Sequence, residues 1–530
     1  MSKFAKIIAL MMAVLFTLSL VACGGDAEDN NDPTTAPTAQ TETSDNVTTL
    51  SGETTTTVTT KKGDKKADKT TTKKTTQNAN LVDTSQGVST TGNLIERTTN
   101  KAGNASDKFV KSLKGFTLKI LYPWENIYGD KKCQASAEDS MKSVEDLYGV
   151  KITEEGQFNK YNENLASELS AKNCENHIYY AQGGYFPFYF QKGYISDLTP
   201  AMRESGVDFN DPWYISDAKG FLNIDGKQYG WIAYEDEYTM PSCIIYNKSL
   251  LNKKRLADPA KLAEQGKWTW DTLEKYAKKF ANDKSVTGFV GGDVIMLEAI
   301  ANQYGTSLTK VSRGASPATN ITDSKVKSAL TTLGEWTVGK NAWCETFSDK
   351  SWTYGKTQLA EGKVAMYFGK HDTIQNLKGS RVQKDMGIAP FPTKSGSKTY
   401  TGISEPQFIA FIPIVHQKIA SKILFVRNEY YRYNYRYVAR NFQYKWATYF
   451  GKNTEAISNA ANIKFARNGN KIKFCWTTVC ETGEDVSTES IIKEVTSGKS
   501  TAAQAISSKK NALTNAYKEV WSGHKITGNV

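Results

Sequence analysis

The chain has 530 residues, with 67 Lys plus Arg against 55 Asp plus Glu, a formal net charge of +12 and 39% hydrophobic residues. After residue 21 no apolar run approaches the roughly 18 to 20 residues needed to span a bilayer, which excludes a polytopic membrane protein. The basic excess contains no run that resembles a nucleic-acid-binding arm, so nucleic acid is not an expected partner.

The chain opens with Lys3 and Lys6, an uncharged run from Ile7 to Val21, and then Leu20-Val21-Ala22-Cys23-Gly24. This pattern resembles the signal and lipobox of bacterial lipoproteins. The resemblance implies that residues 1–22 are a cleaved signal peptide and that Cys23 becomes the first residue of the mature protein. Its thiol then takes a diacylglyceryl group, with acyl chains of the palmitate kind. Two such chains suffice for stable anchoring, so the protein is expected at the extracellular face of the bacterial cytoplasmic membrane.

Residues 23–114 are dominated by Thr, Lys, Asp, Asn, Ser and Gly, with blocks such as Thr54-Thr55-Thr56-Thr57 and Lys69-Thr70-Thr71-Thr72-Lys73-Lys74. Their apolar residues show no period of 2 or 3.6, which predicts a disordered stalk. A coil of about 90 residues has a root-mean-square span of about 50 Å, enough to lift a domain off a membrane. The stalk holds 12 basic and 12 acidic residues and is neutral, whereas the remaining globular part holds 53 and 43, an excess of +10. That excess suits an anionic wall or membrane surface.

Six cysteines follow Cys23: Cys133, Cys174, Cys243, Cys344, Cys475 and Cys480. In an exported chain this even number is compatible with disulfides, Cys475 to Cys480 closing a short loop, and equally with free buried thiols. The cysteines form no CxxC pairs, and His177, His371, His416 and His524 supply no zinc-ligand spacing, so no metal or other cofactor is expected.

From Gly115 to Val530 strand-like and helix-like segments alternate. Phe116–Tyr122 alternates like an opening strand. Ser140–Tyr148 follows as a helix with Met141, Val144, Leu147 and Tyr148 on one face, and Val150–Thr153 as a second strand. Such repetition predicts right-handed crossovers and a parallel sheet covered on both sides, and a chain of this length should divide into two lobes.

Six motifs then occur in a fixed order: Phe190–Pro200, reading FQKGYISDLTP; Asp225–Gly230 followed by Ile244–Leu250, DGKQYG and IIYNKSL; Trp268–Leu273, WTWDTL; Gly362–Gly369, GKVAMYFG; Gly387–Pro392, GIAPFP; and Ile491–Tyr517. Within them Thr269 is placed to cap a helix, Asp271 to complement its dipole, and Thr501 with Gln504 to form a capping box. Leu273, Tyr276, Ala277 and Phe280 make a buried stripe, with Trp268 and Trp270 as core residues.

Together these motifs resemble the family 1 extracellular solute-binding proteins, the sugar-type binding subunits of ABC importers. The stretch from Asn428 to Phe450 is more aromatic and basic than that family's usual helix, and reads as a packed helix with an amphipathic aromatic face.

The resemblance implies an α/β, two-lobed periplasmic-binding-protein-like fold (type II), each lobe a mixed, mainly parallel sheet flanked by helices, with hinge strands between. Lobe one is expected over about 116–238 and 406–450, lobe two over about 241–404 and 452–530, with ligand in the cleft. A sugar site needs aromatic platforms with carboxylates, amides or Arg at the rim, and loops at the carboxyl ends of strands face the cleft. The candidates are Trp124, Glu125, Tyr185, Phe186, Glu235 and Asp236 from lobe one, and Trp343, Phe368, His371, Asp372, Glu405 and Trp476 from lobe two.

The function so implied is a lipid-anchored, monomeric receptor that captures an oligosaccharide and delivers it to ABC permease subunits. The long stalk suggests an alternative, a sensory or retention protein without a transporter. A wall-anchored glycan hydrolase is a third reading. It would need two carboxyl groups about 5 to 9 Å apart, and the adjacent Glu235-Asp236-Glu237 point to opposite faces of a strand; no GxSxG, HExxH or phosphate loop is present either, so no catalysis is expected.

Overall fold

A computed structural model describes residues 105–530 except 126–130, 212, 234–240, 347–352, 371–372, 375, 407, 435–470 and 482–485. The signal segment, Cys23 and nearly all of the expected stalk therefore lie outside the described residues. The expected coil ends before Lys114, however. Ser106 caps a short helix, Asp107–Lys111, its hydroxyl accepting from Phe109 N at 3.2 Å. Phe109 and Leu113 are buried, Phe109 packing edge-on against Phe425 at 5.7 Å. Two apolar side chains with a surface to meet were enough to order what composition alone reads as coil.

Fourteen strands are present among the described residues. In chain order they are β1 (Thr117–Tyr122), β2 (Lys151–Gly156), β3 (Tyr179–Gln182), β4 (Asn223–Ile224), β5 (Lys227–Gln228), β6 (Cys243–Asn247) and β7 (Thr287–Val290). They continue with β8 (Thr309–Lys310), β9 (Ala318–Thr319), β10 (Val364–Gly369), β11 (Met386–Pro390), β12 (Thr401–Ser404), β13 (Phe408–Phe411) and β14 (Lys471–Phe474).

The first sheet region runs β2-β1-β3-β13. β1 and β2 are parallel, as the strand–helix–strand pattern predicts, with helix Lys131–Tyr148 between them. Ile178 bridges Ile120 in parallel, β3 pairs antiparallel with β13, and Trp231 closes the edge by bonding Ala410 in both directions at 3.0 Å. On the helix, Val144 and Tyr148 are buried but Leu147 is 38% exposed, so the apolar face is narrower than its spacing suggested.

The second sheet has the order β11-β6-β10-β7. β10 and β7 are parallel, while β6 runs antiparallel to both of its neighbours, so this sheet is mixed with two of its three pairings antiparallel. β12 pairs in parallel with β14, and Ser242, just before β6, bonds Ile403 on β12 at 2.7 Å. The chain passes from one pairing system to the other between Ser404, the end of β12, and Phe408, the start of β13.

Two large cores result. One gathers Leu118, Ile120, Val144, Ile152, Tyr180, Trp231 and Ile423 around the β1–β3 region. The other joins Trp268, Leu273, Phe289, Leu297 and Leu333 and extends to Phe186 and Trp521. Within it Thr269 caps helix Trp270–Lys278, accepting from Thr272 N at 3.3 Å, and Thr501 and Gln504 form the reciprocal capping box of Ala502–Trp521. Cys174, Cys243, Cys344, Cys475 and Cys480 are free and buried, so Cys475 and Cys480 are not joined.

Candidate functional site

The strands β1, β2 and β3 lie side by side, and each is followed within three residues by an aromatic side chain: Trp124, Phe158 and Tyr185. Adjacent strands are about 4.8 Å apart, so these residues form a row along the carboxyl edge of the sheet, where α/β proteins place ligands. Phe158 is 72% exposed and Tyr185 44% exposed. Phe158 was missed in the sequence because Gln157-Phe158-Asn159 carries no motif; its place two residues past β2 was the available signal.

Trp124 is only partly exposed. Its indole is wedged among Tyr122 (5.3 Å), Tyr180 (5.8 Å) and Phe408 (5.1 Å), so it is presented from a packed aromatic base. The loop that carries it folds over the end of β2, where a Cβ on Gly156 would come within 2.3 Å of the Trp124 carbonyl oxygen. Gln157 N bonds the Tyr122 carbonyl at 2.9 Å and fixes the same turn. Glu125, next in the chain, is exposed at this edge.

Tyr185 follows two glycines that allow close approach. A Cβ on Gly183 would meet the carbonyl oxygens of Pro406 and Thr478 at 3.0 Å, and one on Gly184 would meet that of Glu481 at 2.8 Å. The loop after β3 therefore sits against both Pro406 and the short helix Thr477–Cys480 with its C-cap Glu481. Phe186, by contrast, is fully buried in the core, which corrects its expected place in the cleft wall: it begins helix Phe186–Gln191 with its ring turned inward.

Glu405 lies on the crossing and is ion-paired with Lys370, which follows β10. Phe368 on β10 is 2% exposed and packs edge-on against Phe391 at 5.4 Å, so it too is a core residue instead of a cleft contact. Strand β10 is buried along its whole length, and an aromatic in its interior has no open side. Trp476 stacks face to face on Phe221 at 4.1 Å and 9°, one side of its ring thus being covered.

Trp343 stands apart from the other candidates. It packs on Trp336 at 4.8 Å and Phe289 at 5.7 Å, and lines a separate pocket of about 320 Å³ with Phe280, Thr287 and Glu345. Glu235, Asp236, His371 and Asp372 lie outside the described residues. Of the twelve candidates, Trp124, Glu125, Tyr185, Glu405 and Trp476 are thus the described ones that lie just past strand ends or at the passage from β12 to β13.

Burial pushes the carboxyls of Glu481 and Glu489 up to about 7, Glu489 also through the charge of Asp293. Glu481 accepts from Thr488 N at 2.7 Å, Thr488 Oγ1 at 2.6 Å and Tyr517 OH at 3.3 Å. Among the described residues no group of three or more His, Cys, Asp or Glu is placed to hold a metal ion.

Two α/β sheet systems, between which the chain passes from β12 to β13, make a two-lobed fold of the periplasmic-binding-protein type. Residues 135–411, more than half of the chain, match the bacterial extracellular solute-binding proteins, and the protein belongs to that family. Its fold is shared with a Listeria monocytogenes ABC substrate-binding protein solved in complex with cycloalternan, at 17% identity and TM-score 0.52, over 77% of this chain and 98% of that one. It is shared also with the sugar-binding protein MalE of Xanthomonas citri (13%, 0.53, 76% and 98%) and a Thermotoga lettingae ABC transporter solute-binding protein bound with α-D-tagatose (15%, 0.52, 77% and 100%). At these identities the likeness is one of fold. No curated protein matches the sequence.

Proposed function

We propose that this protein captures a carbohydrate, an oligosaccharide, at the edge formed by Trp124, Phe158 and Tyr185, and delivers it to ABC permease subunits while held to the membrane through lipid on Cys23. The observation that carries the reading is the row of three aromatics on adjacent strand ends. Sugar rings pair an apolar face with a rim of hydroxyls, and several platforms in line suit several rings. Glu125 supplies a carboxylate at that edge and the Glu405–Lys370 pair a second polar group at the crossing.

The ligands of the structural relatives support the sugar class, since those named above were solved with cycloalternan and tagatose or are described as sugar-binding. Support for the anchor comes from the lipobox pattern around Cys23. No helix among the described residues is long and apolar enough to cross a membrane. Tethering keeps the receptor at high effective concentration near its permease.

Titration calorimetry against maltotetraose, chitin oligosaccharides, xylo-oligosaccharides and a peptide panel tests the ligand class. Saturable binding to at least one glycan is expected; binding to peptide with none to any glycan overturns it. For the anchor, the wild type grown with labelled palmitate should take up the label and Cys23→Ala should not, and equal labelling of that variant would refute lipid attachment there.

A further inference from the structure

Arg427 is 1% exposed, on the helical segment 420–434 that packs over the first sheet. Its guanidinium lies over the rings of Tyr431 at 4.0 Å and Tyr430 at 4.8 Å. Nη2 donates to the hydroxyl of Tyr122 at 2.8 Å and to that of Tyr180 at 3.3 Å. The Tyr122 hydroxyl in turn donates to Glu154 Oε1 at 2.8 Å, and that carboxylate, itself buried, is 3.6 Å from Arg427 Nη1. One head group therefore ties Tyr122 on β1, Glu154 on β2 and Tyr180 on β3, the three strands whose ends carry Trp124, Phe158 and Tyr185.

We infer that Arg427 and Glu154 are positioning residues for the aromatic binding edge, fixing the Tyr122–Tyr180 base on which Trp124 rests. This rests on the reading of that edge as the ligand surface. Stability is a poor reason for the pair, because a buried ion pair is commonly matched or bettered by apolar side chains of similar size. Orientation is a better one. Tyr122 and Tyr180 are stacked at 5.0 Å and 18°, and both rings contact the Trp124 indole. Without the fork of Arg427 their hydroxyls lose a common donor, and the two rings can slide past one another beneath Trp124. The planar guanidinium sets two hydroxyls and two ring faces at once, which the point charge of lysine does not do.

The experiment uses the full chain labelled with 5-fluorotryptophan, the Trp124 ¹⁹F resonance being assigned from Trp124→Phe. Arg427→Met with Glu154→Gln removes both charges together, avoiding an unpaired buried ion; Glu154→Gln alone and Arg427→Lys are the conservative companions. In ligand-free protein the double variant should shift or broaden the Trp124 resonance while those of Trp268 and Trp270 stay in place, and Arg427→Lys should not restore it. An unchanged Trp124 signal in a folded variant overturns the inference. Should the double variant fail to fold, the same reading is taken on Glu154→Gln.

Affinity supplies the second arm. For whichever of maltotetraose, chitin oligosaccharide or xylo-oligosaccharide the wild type binds, the double variant should bind about tenfold more weakly, and combining it with Trp124→Ala should cost no more than Trp124→Ala alone. Additive losses overturn the inference. If the wild type binds none of these glycans, the sugar reading fails, and the resonance arm alone still decides whether Arg427 positions Trp124.

Discussion

The indole of Trp124 meets the ring of Phe408 edge-on, with centroids 5.1 Å apart and planes at 63°. Phe408 is the first residue of β13, so Trp124 touches the strand that the chain enters after leaving β12.

Trp124→Ala should weaken glycan binding by roughly 1 to 3 kcal/mol with little change in the thermal midpoint, as expected when a stacking platform is lost. Phe158→Ala should act in the same direction and leave stability within about 0.5 kcal/mol, because its ring is largely in solvent. Calorimetry and thermal melts on the two variants check both statements. Unaltered affinity in both would remove the edge from the site.

Gly156→Ala places a methyl group 2.3 Å from the Trp124 carbonyl oxygen and 2.9 Å from Glu125 Cα. Backbone cannot yield as a flexible side-chain tip can, so the β1 loop must move. Urea unfolding should show a loss of about 1 to 3 kcal/mol, and glycan affinity should fall with it. An alanine variant as stable and as tight-binding as wild type would contradict the packing described here.

The carboxyl of Glu481 is raised from its ordinary 4.5 to about 7, so between those values the unfolded chain releases a proton that the folded chain keeps. Its contribution to stability thus falls as pH rises through that window, with the full penalty above about 7. His177 acts oppositely: burial lowers it from 6.5 to about 4, and stability is lost as pH falls through that range. Relative to wild type, Glu481→Gln should gain stability by on the order of 1 kcal/mol between pH 4.5 and pH 8. His177→Phe should gain between pH 8 and pH 4.5. Urea titrations at the two pH values read each difference, and a pH-independent offset would show that the group does not titrate as described.

Burial raises every described thiol above its ordinary range, Cys174 up to about 12, and thiolate is the reactive form. Iodoacetamide should therefore leave Cys174, Cys243, Cys344, Cys475 and Cys480 unmodified in the native protein and label all five in urea, as read by peptide mass spectrometry. A Cys475–Cys480 disulfide in the purified protein would disprove the free-thiol arrangement.

Much of the fold was legible because it rests on local chemistry. Period-2 alternation marked β1 and β2, Thr269 and Thr501 marked helix starts, and Leu273, Tyr276, Ala277 and Phe280 fell on one buried face. Partners close in sequence set such features, so a window of a few residues contains their cause. Ordered motifs then extended that local reading to the family and its two lobes.

The strand-end positions of the candidates were legible, but not the directions of their side chains. That Trp124 and Tyr185 follow strand ends could be read from pattern, yet the same rule offered Phe186 and Phe368, whose rings turn into the core. Whether an aromatic faces a cleft or a core depends on what packs behind it, and for these residues the neighbours come from distant segments. Phe109 shows the same limit, since its packing partner Phe425 lies more than 300 residues away in the chain.

By itself the sequence determined the neutral Thr-rich segment, the alternating α/β pattern and the ordered motifs that resemble the solute-binding family. Tertiary structure alone decided that β1, β2 and β3 stand side by side, so that Trp124, Phe158 and Tyr185 share an edge. It also decided that Arg427, 305 residues from Tyr122, closes beneath them. The physical reason is that a ring's exposure and an ion pair's partner are fixed by long-range packing, and no short stretch of chain contains both sides of such a contact.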